Sequence, residues 1–439
     1  MSATPCDLII DAAWILPVAP VNTALDCASI AVADGRILEL GDREQIHADY
    51  QAREIVSLAN HALLPGLVNA HGHAAMSLLR GFAEDAPLES WLTEQIWPIE
   101  ARLVDADFVR DGVRLALVEM IRTGTTCFAD MYFFPEVTAQ EASHAGVRGQ
   151  IAFPVIEFPN AWSASSAEGF HKGLALHDAY RQDPRIQIAF GPHASYSVSE
   201  QDLQKILMYS EELEANIQIH LHETSQEVAE ARARVGTTWV HYLHERQLLG
   251  PRLQAVHVTH LDSEEISLLA ENNVQVVHCP YSNLKLASGI CATTALLESG
   301  INVGLGTDGA ASNNGLDVLL EARLASLLAK QQNGNAAALP ATQALEMATL
   351  GGARVLGLDA EIGSLEPGKA ADMVAVDLSA AKFQPLYNPI AQLIHTTAGT
   401  SVSHVWVAGE YLLNEGQLCT LDEHDVLNAA RQWRDRILQ

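Results

Sequence analysis

Two histidines one residue apart, His71 and His73, directly follow an apolar run in "LLPGLVNAHGHAAM". Neutral imidazole is a common ligand of zinc and of other borderline divalent ions, so this pair could supply part of a metal site. The same spacing also occurs in ordinary histidines at the end of a strand. The pair therefore indicates a metal only if the chain supplies further ligands that the fold can bring to it.

Further residues of ligand type follow later apolar runs, each close to the end of its run. They are His193 after "IQIAFGP", His220, His222 and Glu223 in "NIQIHLHE", His257 and His260 in "LQAVHVTH", His278 in "VQVVHC", and Asp308 in "INVGLGTD". A lone histidine at such a place is more often a hydrogen-bonded filler than a ligand. The recurrence of such residues at the ends of successive runs favours one shared site. Three imidazoles and a carboxylate would suit zinc there.

The elements that must position these residues are strands and helices in alternation. Between residues 61 and 364, apolar strand-like runs are followed by amphipathic helical segments in roughly eight units. This α/β pattern predicts a parallel sheet closed into a (β/α)8 TIM barrel, in which the carboxyl ends of the strands converge on one site. A doubly wound open sheet is the alternative.

Both ends of the chain show a different pattern, in which short strands alternate with turns. Residues 1–60 and 365–439 therefore predict a small composite β-sandwich domain formed by both termini, separate from the metal-dependent hydrolase barrel at 61–364. The "DGR" between two apolar runs predicts a hairpin turn. A closing helix is expected near 423–437.

Charge and cysteine usage narrow the range of partners. The chain has 439 residues with 54 acidic and 26 basic side chains, a formal net charge of −28. Such a surface repels phosphate backbones and anionic lipid, so nucleic acid and membranes are not expected partners. The six cysteines show no C-x-x-C spacing. The N-terminus lacks signal-peptide features, so a cytoplasmic location is expected. A homo-oligomer, either a dimer or a tetramer, is also expected.

Several motifs occur in order along nearly the whole chain, namely "PGLVNAHGH", "IHLHET", "GTDGAASNN" and "GSLEPGKAADMVAVD". Together they resemble the amidohydrolase superfamily, in its cytosine deaminase/chlorohydrolase branch. Within that branch, "PLESWLTEQIWPIE", "GPHASYS", "HLHETSQE" and "NLKLASG" are most similar to 5-methylthioadenosine/S-adenosylhomocysteine deaminases. The resemblance implies hydrolytic deamination of 5′-methylthioadenosine to 5′-methylthioinosine and ammonia, with weaker use of S-adenosylhomocysteine or adenosine.

The resemblance also implies roles for particular residues. The metal ligands would be His71, His73, His220 and Asp308. The catalytic residues would be Glu223, His257 and Asp308, and the substrate contacts would be Glu100, His193, Glu223 and Asp308. Some superfamily members bridge a second metal with a carbamylated lysine, but "AFGPHASY" contains no lysine. One divalent metal per chain is therefore expected, with Zn²⁺ favoured and Fe²⁺ or Mn²⁺ as alternatives.

This set of residues suits replacement of a purine amine by water. Zinc lowers the pKa of a water molecule to ~7, which makes hydroxide available. Asp308 would accept the water proton, and Glu223, with its pKa raised in a dry pocket, would protonate ring N1. His257 would pass a proton to the departing amine.

The third strand is expected to distinguish between nucleosides. Relatives that use adenosylhomocysteine tend to carry an arginine there for the amino-acid carboxylate. In "GVRGQIAFPVIEFP", Arg148 lies at the strand start, whereas Phe153 and Pro154 lie where a second arginine would be expected. An apolar wall favours a methylthio group over a charged homocysteine tail.

Several residues have simpler interpretations. Glu223 could cap the following helix, although Thr224 is the better cap. His222 alternates to the opposite face of its strand and is left out of the site. Glu100 could be a solvated helix residue. His260 and His278 could line the pocket or fill the core, and Trp91 and Trp97 are of a kind that more often packs helices than forms a platform for a purine.

Two other classes of protein remain as alternatives. "GLGTDG" matches G-x-G-x-x-G, but Glu321 lies closer to it than the ~20 residues usual for a dinucleotide-binding oxidoreductase. A catalytically silent scaffold barrel is disfavoured by the complete ligand, acid and base set. Among enzymes, a hydrolase of another heterocycle, such as guanine, a pterin or a triazine, stays open because the same ligands would activate the same water.

Overall fold

The computed structural model describes residues 3–194 and 197–439, so Ser195 and Tyr196 of the "GPHASYS" motif lie outside the described residues. The strands are, in chain order, β1 (Thr4–Ile15), β2 (Leu25–Asp26), β3 (Ala28–Ala33), β4 (Arg36–Asp42), β5 (Tyr50–Pro65), β6 (Leu67–Asn69), β7 (Thr125–Met131), β8 (Arg148–Val155), β9 (Ile186–Pro192), β10 (Ile217–Leu221), β11 (Leu253–His257), β12 (Gln275–His278), β13 (Val303–Leu305), β14 (Met373–Asp377), β15 (Val402–Val407), β16 (Glu410–Asn414) and β17 (Gln417–Leu418).

The α-helices are α1 (Arg43–Asp49), α2 (Leu88–Ser90), α3 (Trp97–Leu103), α4 (Ala106–Arg122), α5 (Pro135–Ala145), α6 (Ser166–Tyr180), α7 (Glu200–Leu213), α8 (Ser225–Val235), α9 (Trp239–Glu245), α10 (Ser263–Glu271), α11 (Pro280–Lys285), α12 (Thr293–Glu298), α13 (Ala310–Asn313), α14 (Val318–Gln332), α15 (Ala341–Glu346), α16 (Gly352–Val355), α17 (Pro389–His395) and α18 (Glu423–Ile437). Short 3₁₀ segments cover Ala74–Leu79, Ala381–Phe383 and Ala398–Ser401, and π-helical segments cover Trp91–Ile96 and Met347–Gly351.

Strands β6 to β13 form one sheet in sequential order. The neighbouring pairs from β8 to β13 are parallel. The N–H of Ala70, just after β6, donates to the carbonyl of Leu305 in β13 at 2.8 Å, which closes the series. A doubly wound sheet would reverse its strand order. The (β/α)8 TIM barrel is therefore confirmed, and the open-sheet alternative is wrong.

The barrel strands owe their position to nearly continuous apolar sequence. Every residue of β7, β8, β10 and β11 is buried. Parallel strands covered on both faces require such runs, since neither face meets water. The polar residues after each run are thereby brought to the carboxyl ends of the strands, at one end of the barrel.

Strands from both ends of the chain share a second sheet, in the order β17-β16-β15-β14-β5-β1-β3-β4. Strand β5 pairs with β1 in parallel and with β14 in antiparallel orientation. The predicted hairpin turn joins β3 to β4 through Asp34 and Gly35, whose φ angles are +50° and +73°. Positive φ at both central residues matches the right-handed twist of the hairpin.

The chain divides into two compact units. One comprises residues 1–69, 118–127 and 317–421, and the other comprises residues 70–117, 128–316 and 422–439. The domain boundaries expected at residues 60 and 365 stay a prediction. The expected closing helix is α18, which covers Glu423–Ile437. Among the described residues, no helix is long and apolar enough to cross a membrane.

Candidate metal centre and active site

The candidate ligands lie at or just beyond the carboxyl ends of three barrel strands. His71 and His73 follow β6, His220 lies in β10, and Asp308 follows β13. His257 is the last residue of β11 and pairs in register with Leu221, one residue beyond His220. Strand ends that are far apart in the sequence thus meet in one place.

The four predicted ligands lie in two overlapping groups that share His71. The Oδ1 atom of Asp308 lies 3.4 Å from Nε2 of His71 and 3.2 Å from Nε2 of His73. Nε2 of His220 lies 3.2 Å from Nε2 of His71. Ligand atoms of His71, His73 and Asp308, and those of His71, His220 and His257, form two sets, each lying within 4.8 Å.

The other ring nitrogen of each predicted histidine ligand faces an oxygen atom. The Nδ1 contacts are His71 with Gln218 Oε1 at 2.8 Å, His73 with the Met131 carbonyl at 2.6 Å, and His220 with the His193 carbonyl at 2.6 Å. Because these oxygens only accept, each Nδ1 carries the proton when the ring is neutral. Each Nε2 then keeps a lone pair for a ligand, as metal-binding histidines require.

This arrangement fits a divalent cation. In the neutral rings of His71 and His220, two lone pairs face each other across 3.2 Å, which is repulsive unless a cation lies between them. Burial lowers the pKa of both rings and keeps them neutral. Burial also acts to lower the pKa of His73, but the hydrogen bond to Asp308 outweighs it and raises that pKa to about 9. Without a metal, a proton on His73 would partly neutralise Asp308.

Asp308 is oriented by hydrogen bonds on both oxygens. The hydroxyls of Ser282 and Ser312 donate to Oδ2 at 2.6 and 2.8 Å, and the N–H of Gly309 donates to Oδ1 at 2.8 Å. Burial acts to raise the pKa of Asp308, but the adjacent His71 and His73 rings, with a hydrogen bond from protonated His73, hold it well below the usual value. The carboxylate is therefore ionised, with Oδ1 facing the histidines.

Glu223 is an acid close to the cluster, with a side chain that is 12% exposed. Burial and the negative charge of Asp308 raise the pKa of Glu223 to about 8. Its Oε1 accepts a hydrogen bond from the Ser288 hydroxyl at 3.2 Å, and its Oε2 lies 3.7 Å from Nε2 of His257. Thr224 caps α8, so the interpretation of Glu223 as the cap is wrong.

His257 has a fixed orientation beside that acid. Its Nδ1 lies 2.9 Å from Oδ1 of Asn283, so a neutral ring donates there and leaves Nε2 as an acceptor. Burial lowers the pKa of His257, which favours this neutral form.

The cluster lies in a cavity of about 580 Å³. Its polar lining includes Glu100 and His193, the two predicted substrate contacts, together with His73, His220, Glu223, His257 and Asp308. Trp91 and Trp97 also line it, so they do more than pack helices. The structure thus brings every predicted site residue except His71 to the cavity wall, and His71 lies directly behind it with 0% exposure.

Tyr132 is a residue of the cavity that the sequence analysis did not predict. Its hydroxyl donates to Oε1 of Glu100 at 2.6 Å, and both side chains line the cavity. Burial raises the pKa of Glu100, although the hydrogen bond from Tyr132 opposes that change. A usable signal was present, since Tyr132 directly follows β7 and so lies at the carboxyl end of a barrel strand.

One side of the cavity is apolar, as predicted, but Phe153 is not part of it. Phe153 is 1% exposed and packs against Phe190 with ring centroids 4.9 Å apart, outside the cavity lining. Pro154 faces the other way along the strand and lines the cavity with Ile156 and Phe158. The lining found among the described residues contains no arginine or lysine.

The remaining strand histidines and Arg148 lie elsewhere. His222, His260 and His278 are absent from the cavity lining. His222 Nδ1 lies 2.9 Å from the His260 carbonyl, and burial lowers the pKa of His278 to about 3. Arg148 donates to the carbonyl of Pro184 at 3.0 Å. His222 thus lies away from the cavity, on the side that strand alternation predicts.

The fold and the site place the chain in a known class. It belongs to the amidohydrolase family, whose profile matches residues 62–412. It is 48% identical to a 5-methylthioadenosine/S-adenosylhomocysteine deaminase of Teredinibacter turnerae, over 99% of each chain. It is also 48% identical to a deaminase of the same name from Saccharophagus degradans, over 99% of this chain and 97% of that one.

Solved structures agree with this assignment. The crystal structure of an adenosine deaminase from Xanthomonas campestris with bound zinc superimposes with a TM-score of 0.98 over 100% of both chains, at 44% identity. A triazine hydrolase of Arthrobacter aurescens shares the fold, with a TM-score of 0.91 over 97% of this chain and 99% of that chain, at 23% identity. The zinc-bound relative and the ligand cluster together support a divalent metal site.

Proposed function

We propose that this chain is a metal-dependent deaminase that converts 5′-methylthioadenosine and water to 5′-methylthioinosine and ammonia. S-adenosylhomocysteine and adenosine would be weaker substrates. The observation that carries the proposal is the group of three histidines and Asp308 at the wall of a cavity that a largely buried acid, Glu223, also lines. The names of relatives that are 48% identical over nearly the whole chain support the substrate class.

His71, His73, His220 and Asp308 would hold one zinc ion per chain. When bound, that ion lowers the pKa of a water molecule and so supplies hydroxide near neutral pH. Three imidazole nitrogens and one carboxylate suit zinc, and the Xanthomonas campestris relative contains it. Metal analysis of protein purified from native cells distinguishes zinc from Fe²⁺ and Mn²⁺.

The proton steps would belong to three side chains. Asp308, held ionised, would accept a proton from the attacking water. Protonated Glu223 would donate to ring N1 as the water oxygen bonds to C6, so that negative charge does not build up on the ring. His257 would relay the proton held by Asp308 through Nε2 to the amine, which leaves C6 as ammonia when that C–N bond breaks. The remaining hydroxyl proton on C6 would return to Glu223 as the C6 carbonyl forms.

Glu100 and His193 would contact the nucleoside. The Glu100 carboxylate, oriented by Tyr132, is suited to accept hydrogen bonds from ribose hydroxyls. The apolar side of the cavity, formed by Pro154, Ile156 and Phe158, suits a methylthio group. The carboxylate of S-adenosylhomocysteine would find no arginine or lysine among the described lining residues, which favours 5′-methylthioadenosine.

Ammonia release from 5′-methylthioadenosine, S-adenosylhomocysteine, adenosine and guanine, measured side by side on metal-quantified protein, tests the proposal. We expect the highest kcat/KM for 5′-methylthioadenosine, with about one metal per chain. Equal use of S-adenosylhomocysteine would refute the apolar-wall argument, and inertness towards all four compounds would refute the nucleoside assignment. The homo-oligomeric state and cytoplasmic location stay proposals, for which sedimentation and cell fractionation are the tests.

A further inference from the structure

A group of buried amide side chains lies inside the barrel behind the metal cluster. Gln150 in β8, Gln218 in β10 and Gln254 in β11 are 1%, 0% and 0% exposed. Gln218 and Gln254 face each other across neighbouring strands in register. None of them lines the cavity, so the proposed chemistry leaves their presence unexplained.

These amides form a connected set of hydrogen bonds. The Gln218 Nε2 donates to Gln254 Oε1 at 2.9 Å and to the Ala70 carbonyl at 3.1 Å. Gln254 and Gln150 exchange two amide hydrogen bonds, at 2.7 and 3.1 Å. Asn216 Nδ2 donates to Gln150 Oε1 at 2.7 Å.

The connections leave one orientation for the Gln218 amide. Its NH₂ group uses both hydrogens on oxygen acceptors, so its Oε1 must face Nδ1 of His71, 2.8 Å away. A flipped amide would set an NH₂ group against His71 and an oxygen against two other oxygens. Such unsatisfied groups are costly in a buried site.

We infer that Gln218, oriented by the Ala70 carbonyl with support from Gln254, is a positioning residue that fixes His71 as the Nδ1–H tautomer and aims its Nε2 into the cluster. Gln218 thereby sets the affinity of the site for its metal. The inference rests on the proposed metal site but on no choice of nucleoside. Partners behind a metal-binding histidine typically change metal affinity by about 10–100-fold when removed.

The test compares two variants of similar shape. Gln218→Met removes the acceptor from His71, whereas Gln254→Met leaves that acceptor in place together with the Ala70 carbonyl that orients the Gln218 amide. Zinc Kd is measured on metal-free protein by chelator competition, beside thermal unfolding. We expect Gln218→Met to weaken zinc binding by about 10–100-fold and Gln254→Met to weaken it much less. Similar losses in both variants, or less than a threefold loss in Gln218→Met, would overturn the inference.

A conservative variant separates positioning from general damage to the barrel. Gln218→Glu keeps an oxygen acceptor for His71 Nδ1 but loses both donated hydrogen bonds. We expect it to be less stable than the wild type yet to bind zinc at least tenfold more tightly than Gln218→Met. Nitrogen chemical shifts of His71 should report the Nδ1–H tautomer in wild type and in Gln218→Glu, and its loss in Gln218→Met. An unchanged tautomer in Gln218→Met would contradict the inference.

Failure of this inference is distinguishable from failure of the proposed function. If Gln218→Met binds zinc like the wild type while wild-type protein deaminates nucleosides, only the positioning role is wrong. If the variants follow the expected order of zinc affinity but no nucleoside is deaminated, only the substrate assignment is wrong.

Discussion

Replacement of the Glu223 carboxyl by an amide is the sharpest test of the proposed chemistry. A glutamine side chain has the same size as the acid, so Glu223→Gln keeps the cavity shape and a hydrogen-bond donor but loses the transferable proton. A general acid contributes about 10²–10⁴ in rate, which corresponds to about 2.7–5.5 kcal/mol of transition-state stabilisation. We expect kcat/KM to fall within that range. Zinc content should stay unchanged, since the candidate ligand sets among the described residues exclude Glu223.

The pH dependence of kcat/KM is a second test of the role of Glu223 as the acid. Burial and the Asp308 charge raise the pKa of metal-free Glu223 to about 8, and a nearby bound cation would lower it again. Because Glu223 works in its protonated form, kcat/KM should fall as the pH rises. The midpoint of this alkaline limb should lie above the ordinary pKa of a glutamate and no higher than about 8. The limb should be absent from Glu223→Gln.

The assay is ammonia release from 5′-methylthioadenosine between pH 5 and 9, on protein with measured zinc content. Glu230→Gln is the matched control, because Glu230 is an exposed residue of the helix that follows Glu223. We expect the control to retain wild-type activity and the wild-type pH profile. A Glu223→Gln variant with full zinc and less than a tenfold loss of kcat/KM, or with an unchanged alkaline limb, would refute the role of Glu223 as the acid.

Three further predictions concern other parts of the molecule. Asp308→Asn removes the only carboxylate of the predicted ligand set, so zinc per chain after dialysis should fall well below that of wild type, and undiminished zinc would contradict its role as a ligand. Tyr132→Phe removes the hydrogen bond to Glu100, so KM for nucleosides should rise about 5–10-fold with a smaller change in kcat. If Tyr132 acted on the reacting ring, steady-state kinetics would instead show a larger change in kcat than in KM. Trp433→Ala deletes a ring of α18 that is 3% exposed and packs on Phe108, so the free energy of unfolding in urea should fall by about 3–5 kcal/mol. A loss below about 1 kcal/mol would show that α18 is loosely packed.

Much of the site was accessible from local sequence because strand periodicity fixes where side chains point. Residues at the end of an apolar run reach the carboxyl end of a barrel strand, which is why the sequence alone groups His71, His220 and Asp308. The same alternation predicts that His222 points away from His220, and His222 does not line the cavity. The resemblance to known deaminases then supplied Glu100, a helical residue whose pattern alone is equally typical of a solvated position.

Other features depended on contacts between distant segments. Phe153 was expected in the cavity wall, but a shift of one residue along a strand turns a side chain to the opposite face, and Pro154 lines the cavity instead. Tyr132 gained a role only because its hydroxyl meets Glu100, which lies on a different element. No local pattern predicts such a pairing.

The order of strands and helices, the ligand types and the acidic, lysine-poor character of the chain are all evident from local sequence. Which of those residues share an environment, and what that environment does to their protons, depends on the folded barrel. Glu223 illustrates the difference, because its pKa is raised to about 8 by burial and by Asp308, which is 85 residues away in sequence. Burial and charge proximity are properties of the closed barrel, and they exist only after its strand ends have met.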